Sequence, residues 1–119
     1  MYSIKVEGDF SSAHNLRGYH GRCEDLHGHN WKVEVIIQSK VLDKIGMLVD
    51  FKIVKTKLYS VLDKLDNKYL NNIAYFKKNN PTSENIAKYI YDRLKEQKLK
   101  VSSVIVWESE KCCATYSAK

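Results

Sequence analysis

The chain has 119 residues, which predicts one domain covering residues 1–119. Its 44% apolar and 29% charged residues are ordinary for a globular protein and exclude a disordered or collagen-like chain. No apolar run approaches the roughly 18 residues that a membrane span needs, and the first residues lack the charged and apolar regions of a signal peptide. The sequence therefore predicts a cytoplasmic protein with no membrane partner.

The net charge of +6 is concentrated in the second part of the chain. Residues 1–50 hold six basic and seven acidic residues, whereas residues 51–119 hold 14 basic and seven acidic ones. A basic balance is compatible with nucleic acid or with a polyanionic small molecule as the partner. The eight tyrosines are scattered and belong to no RNA-binding motif, so we expect no nucleic-acid partner.

The first half of the chain predicts two strands separated by a long loop. Apolar and polar residues alternate over 2–7 and again over 31–38, as they do in half-buried strands. Residues 8–30 hold all four histidines and four of the five glycines, which is typical of a functional loop. The apolar run at residues 47–49 suggests a short extra strand.

The second half predicts two helices followed by two strands. Asp50 is a suitable N-cap, and apolar residues recur every three or four positions over 51–65, which predicts a helix. Thr82 or Ser83 begins a second helix that extends to about residue 97. Alternation predicts strands at 104–107 and 112–117, and we interpret Cys112 and Cys113 as packing residues. The order β-β-α-α-β-β predicts an α+β fold with a four-stranded antiparallel sheet and both helices on one face.

Three of the histidines have a spacing that suits a metal site. In an extended segment, residues i and i+2 point to the same side, so His27 and His29 can face one point. His14 follows the first strand and comes near that point if the first two strands are neighbours. Three neutral imidazoles are good ligands for Zn²⁺. The sequence therefore predicts a zinc site, against the plain alternative of surface histidines that bind nothing.

Cys23 lies four residues before His27 and has two alternative roles. As a fourth ligand, it would close a structural zinc site. As a free thiol beside Zn²⁺ and Arg22, it would have thiolate character and would act as a base or nucleophile next to an open coordination position. The sequence leaves both roles open.

The spacing Cys-x-x-x-His-Gly-His at residues 23–29, with Ser-Ala-His at 12–14, resembles the 6-pyruvoyl-tetrahydropterin synthase superfamily. Within it, the spacing is similar to that of the bacterial 6-carboxytetrahydropterin synthases of queuosine biosynthesis. Further segments resemble family motifs in the same order, at residues 46–51, 65–71, 80–85 and 106–109. The resemblance implies the tunnelling fold (T-fold), in agreement with the predicted element order. It also implies ring-shaped homo-oligomers, commonly hexamers built as dimers of trimers, with active sites between subunits.

The resemblance also implies a reaction and a set of site residues. The implied enzyme is a lyase that acts on 7,8-dihydroneopterin triphosphate, eliminates triphosphate, releases acetaldehyde and leaves 6-carboxy-5,6,7,8-tetrahydropterin. Zinc would hold the side-chain hydroxyls of this substrate. The metal ligands would be His14, His27 and His29, and Glu108 would anchor the pterin. Cys23, together with the pair Asp66 and Asn67, would transfer protons. Thr82 and Ser83 would make lesser contacts with the pterin.

Asn67 departs from the family motif, which has histidine at this position. An amide cannot transfer a proton at neutral pH, although it can hold geometry through hydrogen bonds. Three explanations stay open at this point. His20, the one histidine outside the predicted metal site, serves instead; Asn67 suffices to position substrate or water; or the protein binds pterin with weak catalysis.

Two other functions therefore stand beside the 6-carboxytetrahydropterin synthase. The first is a 6-pyruvoyl-tetrahydropterin synthase, which the short gap between Cys23 and His27 disfavours. The second is a non-catalytic protein that binds zinc or pterin, for which Asn67 is the distinguishing feature. In its plainest form, this second alternative is a structural zinc site with Cys23 as a ligand.

Overall fold

The computed structural model describes residues 1–118. In chain order these residues form strands β1 (Tyr2–His14) and β2 (His27–Ser39), helix α1 (Phe51–Leu62), strand β3 (Lys68–Tyr69), a 3-10 turn (Leu70–Asn72), helices α2 (Ala74–Lys78) and α3 (Ser83–Glu96), and strands β4 (Ser103–Trp107) and β5 (Cys113–Tyr116). The predicted α+β class is confirmed. Within residues 1–118, no helix combines the length and apolar character needed to cross a membrane.

β1 and β2 form one long antiparallel hairpin, paired from Tyr2 with Ser39 to His14 with His27. The prediction of a loop over residues 8–30 is therefore wrong at both ends, since only residues 15–26 connect the two strands. Gly8, predicted to lie in the loop, lies inside β1. A Cβ atom at this position would lie 2.9 Å from Cδ1 of Leu62, so the glycine is needed for close packing of α1 against the sheet.

The sheet has five strands rather than the predicted four, in the order β3-β1-β2-β4-β5. It is mixed rather than antiparallel, because β3 runs parallel to β1 and pairs with residues 12 and 13. The remaining neighbours are antiparallel. β3 contains only two residues, too few for apolar and polar positions to alternate in a recognisable way. The sequence therefore gives no sign of this strand.

The two long helices begin where the sequence predicts. Asp50 accepts a hydrogen bond from the backbone N–H of Lys52 at 2.9 Å, and Thr82 accepts one from that of Asn85 at 3.1 Å. α1 ends at Leu62, earlier than the predicted residue 65, and the short helix α2 was not predicted. Buried side chains of both long helices pack with buried side chains of the sheet in one hydrophobic core.

The helices pack on the face of the sheet that carries the valines of the central strands. Val33 lies opposite Val106, and Val35 lies opposite Val104, and all four are fully buried. Two smaller predictions were wrong. Residues 47–49 lie outside the strands, and Cys112 and Cys113 are exposed rather than packed.

Candidate metal centre and active site

Three histidines converge at the end of the β1–β2 hairpin where the connecting loop begins. His14 is the last residue of β1 and lies directly opposite His27, the first residue of β2. His29 is two residues further along β2 and therefore points to the same face as His27. The two-residue periodicity of the strand thus brings the three imidazoles together, as the sequence predicts.

The ring nitrogens of the histidines are oriented in a way that suits metal binding. Nε2 of His14 lies 3.1 Å from Nε2 of His27. On the other side of these rings, Nδ1 of His14 is 2.7 Å from the carbonyl oxygen of Pro81, and Nδ1 of His27 is 2.9 Å from that of Asp25. A backbone acceptor at Nδ1 fixes the ring and leaves Nε2 as the lone-pair donor, which is the usual arrangement around metal-bound histidines.

Glu108 completes this cluster, although it is far away in the sequence. Its Oε1 atom lies 3.3 Å from Nε2 of His14 and 3.4 Å from Nε2 of His29. The four ligand atoms, one from each of the three histidines and one from Glu108, all lie within 4.8 Å of one another. We call His14, His27, His29 and Glu108 the metal cluster. Three imidazoles and a carboxylate form a donor set that suits Zn²⁺.

The environment of His29 also fits a metal ion. Its Nε2 atom is buried and makes no hydrogen bond with the residues described. Burial lowers the pKa of His29 below its ordinary value, although the carboxylate of Glu108 opposes this change. The imidazole is therefore neutral near pH 7 and has a lone pair without a partner. A buried polar atom of this kind is costly unless something binds it.

Cys23 lies outside the metal cluster, in the loop between β1 and β2. It is exposed and lines a surface pocket with His20, Arg22 and Glu24. Among residues 1–118, the fourth potential ligand beside the three histidines is a carboxylate oxygen of Glu108 and not the sulfur of Cys23. The loop therefore places Cys23 and His20, two of the predicted candidates for proton transfer, in one pocket.

Glu24, the neighbour of Cys23, is not among the site residues predicted from the sequence. One of its carboxylate oxygens accepts a hydrogen bond from the backbone N–H of Leu16 at 3.1 Å and lies 3.8 Å from Nδ1 of His27. Glu24 thus lies beside Nδ1 of His27, on the side of the ring away from the metal cluster, while Cys23 is exposed. The short spacing to His27 was the available signal, because it places Glu24 within reach of that histidine.

Asp66 and Asn67 lie at the open edge of β1, close to the hairpin end. A carboxylate oxygen of Asp66 accepts a hydrogen bond from the backbone N–H of Ser11 at 2.8 Å, and the backbone N–H of Asn67 donates to the carbonyl of Ser11 at 2.6 Å. Asn67 has a φ of +56°, a left-handed conformation that asparagine adopts more readily than most residues. Asn67 and Lys68 share a surface depression with His29.

Thr82 and Ser83 form the start of α3. The Thr82 hydroxyl is occupied by its capping hydrogen bond, and neither residue belongs to the metal cluster. The preceding residue, Pro81, contacts His14 through its carbonyl oxygen. The two predicted pterin contacts are therefore next to the support of one metal-cluster histidine.

A model of the 6-pyruvoyl tetrahydropterin synthase family matches residues 3–119. The chain belongs to this family. The predicted membership, and with it the classification of the chain as an enzyme of the family, is confirmed.

The chain is similar over most of its length to several named relatives. It is 41% identical to an Archaeoglobus fulgidus protein named, provisionally, 6-carboxy-5,6,7,8-tetrahydropterin synthase, covering 90% of this chain and 88% of that protein. It is 31% identical to the 6-carboxy-5,6,7,8-tetrahydropterin synthase of Haemophilus influenzae, covering 92% and 94%. It is also 33% identical to the dihydroneopterin monophosphate aldolase of Pyrococcus furiosus, covering 88% of each chain.

The structure of Caenorhabditis elegans 6-pyruvoyl tetrahydropterin synthase has the same fold. Its TM-score is 0.87 at 26% identity, covering 99% of this chain and 96% of that one. The predicted T-fold is thus confirmed, with the correction that the sheet formed by residues 1–118 has five strands and is mixed.

Proposed function

We propose that this protein is a zinc-dependent lyase that converts 7,8-dihydroneopterin triphosphate into 6-carboxy-5,6,7,8-tetrahydropterin. The observation that supports this most directly is the metal cluster, in a chain that matches its family over residues 3–119. The relatives named 6-carboxy-5,6,7,8-tetrahydropterin synthase favour this product. The reaction would release triphosphate and acetaldehyde and would serve queuosine biosynthesis in the cytoplasm.

His14, His27 and His29 would hold the zinc ion through their Nε2 atoms. The bound ion would supply Lewis acidity, which polarises an oxygen of the substrate side chain. The backbone carbonyls of Pro81 and Asp25 hold two of these rings in their binding orientation. Trp31 is fully buried and packs edge-to-face with His14 and with His29, with ring centroids 4.9 Å and 5.0 Å apart.

Glu108 has two roles in this proposal, which use its two oxygens. Oε1 faces Nε2 of His14 and of His29, where it would contribute to the metal coordination. The other oxygen would accept hydrogen bonds from the paired N–H groups of the pterin ring, since a carboxylate matches two adjacent donors. A Glu108→Gln variant would retain its size but would lose the negative charge that both roles need.

Cys23 would transfer a proton to or from the substrate side chain, with Asp66 and Asn67 at the other side of the hairpin end. Asn67 would position the substrate or a water molecule, because its amide cannot accept a proton. His20 is an alternative proton-transfer group, because it lines the same pocket as Cys23. Thr82 and Ser83 would make further contacts with the pterin.

The deciding experiment is incubation of the purified protein with 7,8-dihydroneopterin triphosphate, with zinc and with a chelator, followed by mass spectrometry of the products. We expect the 6-carboxy product and acetaldehyde with zinc, and neither after chelation. A pyruvoyl product would indicate a 6-pyruvoyl-tetrahydropterin synthase instead. Bound pterin without turnover, in a protein with its zinc intact, would contradict the proposed lyase and support a binding protein.

The name of the Pyrococcus furiosus relative makes a second substrate worth including. 7,8-Dihydroneopterin monophosphate would be offered in a parallel incubation under the same conditions. We expect the triphosphate to be consumed faster, because the chain is more similar to the 41% identical relative. Cleavage of the monophosphate alone would replace the proposed activity by that of an aldolase.

We also propose a homo-oligomer, a hexamer built as a dimer of trimers. β3 and β5 are the outer strands of the sheet, and outer strands with free backbone groups readily pair with another chain. Cys113, at the start of β5, is exposed within one chain, and burial between subunits would account for its apolar character. Light scattering after size-exclusion chromatography would give the mass of the assembly, and a monomer would contradict this part of the proposal.

A further inference from the structure

Two of the three residues that follow His14, Asn15 and Arg17, are held by two asparagine side chains from another part of the chain. Oδ1 of Asn71 accepts a hydrogen bond from the backbone N–H of Asn15 at 3.0 Å, and its Nδ2 donates to the backbone carbonyl of the same residue at 2.8 Å. Asn80 does the same for Arg17: its Oδ1 accepts from the N–H at 2.8 Å, and its Nδ2 donates to the carbonyl at 2.9 Å.

These contacts lie where the β1–β2 ladder has ended. The last paired residues of the ladder are His14 and His27, so residues 15 and 17 have no strand partner for their backbone groups. Such groups need hydrogen bonds when they are shielded from water. A side-chain amide offers one acceptor and one donor side by side, so each asparagine satisfies both backbone groups of one residue, as a neighbouring strand would.

The same part of the chain also contacts the imidazole of His14. Pro81, which follows Asn80, accepts the hydrogen bond from Nδ1 of His14 at 2.7 Å. The backbone carbonyl of Asn80 is itself fixed by the side chain of Asn85 at 2.8 Å. The histidine is therefore held at its ring by Pro81 and, just beyond its backbone, by Asn71 and Asn80. Asn71 is buried, with 8% of its surface exposed.

We infer that Asn71 and Asn80 are positioning residues for metal binding, which act by fixing the backbone just after His14. The side-chain hydrogen bonds of Asn71 and Asn80 go to the backbone of Asn15 and Arg17 and not to the side chains of the metal cluster, so the two asparagines act through His14. The inference depends on the proposed function only for the presence of a metal ion, and not for the reaction. When both amides are lost, the segment after His14 has unpaired backbone groups and the imidazole loses its fixed position relative to His27 and His29.

The test measures zinc affinity and not activity. Asn71→Leu and Asn80→Leu keep nearly the same side-chain size and remove both hydrogen bonds, whereas Asn71→Asp and Asn80→Asp keep the acceptor and lose the donor. Asn79→Leu is the matched control, because the amide of Asn79 donates only to the carbonyl of Tyr75 within the neighbouring helix. Zinc affinity is measured by competition with a chromophoric chelator, and the Co²⁺ spectrum of each variant reports the coordination geometry.

We expect a decrease of about tenfold or more in zinc affinity for each leucine variant, in the range seen when a group supporting a metal-bound histidine is removed. In the aspartate variants a carboxylate oxygen faces the backbone carbonyl to which the amide donated, so these variants should lose zinc affinity as well. Asn79→Leu should bind zinc as the wild type does. The Co²⁺ spectra of the leucine variants should change in intensity, which a loss of stability alone would not cause. Circular dichroism of the metal-free variants shows which of them fold, and the aspartate series provides the comparison if a leucine variant does not.

Folded variants that bind zinc as tightly as the wild type would overturn the inference. So would an equal loss of affinity in Asn79→Leu, because it would show a general effect of destabilisation. If the wild type binds zinc but converts no pterin, the proposed function fails and this inference is still tested in full. If the wild type binds no zinc, the inference fails together with the metal site.

Discussion

The middle and the end of the β1–β2 hairpin have the same backbone pairing but bury opposite kinds of side chain. In the middle, Val33 and Val35 are fully buried beneath the helices. At the end, the same face buries His14, of which only 1% is exposed. Burial of valine stabilises a fold, whereas burial of an imidazole is costly unless its nitrogens are bound. The middle therefore contributes stability, and the end is arranged for binding.

This contrast predicts that substitutions in the two regions have separate consequences. Changes at the hairpin end should alter metal binding or turnover and leave the free energy of unfolding of the metal-free protein nearly the same. Changes in the middle should alter that free energy and leave the metal affinity of the folded protein unchanged. A variant that changes both would show that the two regions are coupled.

His29→Ala should have the largest effect on metal binding. It removes a ligand whose Nε2 is buried without a hydrogen bond, so we expect zinc affinity to fall by about 100-fold or more, beyond the loss seen for groups that only support a ligand. The free energy of unfolding of the metal-free protein should change by no more than about 1 kcal/mol. The cavity left by the missing ring destabilises the fold, whereas removal of a buried polar atom without a hydrogen bond stabilises it, and the two effects oppose each other. Chelator competition and urea unfolding measure the two quantities.

His20→Asn is the control for this variant. His20 is outside the metal cluster and has a φ of +51°, a conformation that asparagine also adopts. Its zinc affinity should equal that of the wild type. An equal loss of zinc in both variants would contradict the assignment of the metal cluster.

Asn67→His should have the next largest effect, on turnover at the hairpin end. If the missing histidine of the family motif limits the reaction, the variant should turn over pterin about 100-fold faster, the usual range for a general acid or base. The left-handed backbone at residue 67 tolerates histidine better than most residues. Asn67→Gly keeps this backbone and removes the amide, so slower turnover in that variant would show that the amide positions a reactant. Equal turnover in all three proteins would exclude a role for this side chain.

Gly8→Ala tests the middle of the hairpin. The new methyl group would lie 2.9 Å from Cδ1 of Leu62 and 3.1 Å from Cδ2 of Leu58, so we expect a loss of about 1–3 kcal/mol in the free energy of unfolding, as for other overpacked sites. Gly28→Ala is the control near the metal cluster, since its nearest atom would be the Ser12 carbonyl oxygen at an ordinary 3.8 Å. Urea unfolding that gives equal stabilities for the two variants would contradict the close packing at Gly8.

The sequence predicts those features that depend on local periodicity. Alternation places His27 and His29 on one face, and the N-caps Asp50 and Thr82 locate both long helices. Prediction from the sequence fails where one residue type has more than one structural role. Gly8 resembles a loop residue, but it lies in a strand and allows α1 to pack closely against the sheet.

Long-range pairing is the other source of error. β3 is recognised only through its pairing with β1, and Glu108 enters the metal cluster only because β4 pairs with β2. The hydrogen bonds between the Asn71 side chain and the backbone of Asn15 join residues that are 56 positions apart. No local pattern in the sequence carries these contacts, so only the family resemblance could mark Glu108 as a site residue.

The smallest predicted effect concerns the other face of the hairpin, where Glu34 is nearly buried, with 7% of its side chain exposed. Burial acts to raise the pKa of Glu34, but the hydrogen bonds from Trp107 at 2.7 Å and from Lys5 outweigh it, so the pKa lies below its ordinary value of 4.5. A lowered folded-state pKa stabilises the protein above the unfolded pKa, and this stabilisation is lost as the pH falls through the folded value.

Glu34→Gln should therefore lower the free energy of unfolding by about 1 kcal/mol at pH 7. The difference should shrink as the pH falls from 4.5, the ordinary value at which the unfolded chain takes up the proton, to the lower pKa of the folded protein. Urea unfolding between pH 3 and pH 7 measures the difference. Glu96→Gln is the control, because Glu96 is exposed and pairs with Arg93 at 2.8 Å on α3, away from Glu34, and such an exposed pair contributes little. Zinc affinity should be the same in all three proteins, because Glu34 lies outside the metal cluster. If the difference in unfolding free energy between Glu34→Gln and the wild type is constant with pH, the charge of Glu34 is not what stabilises this face.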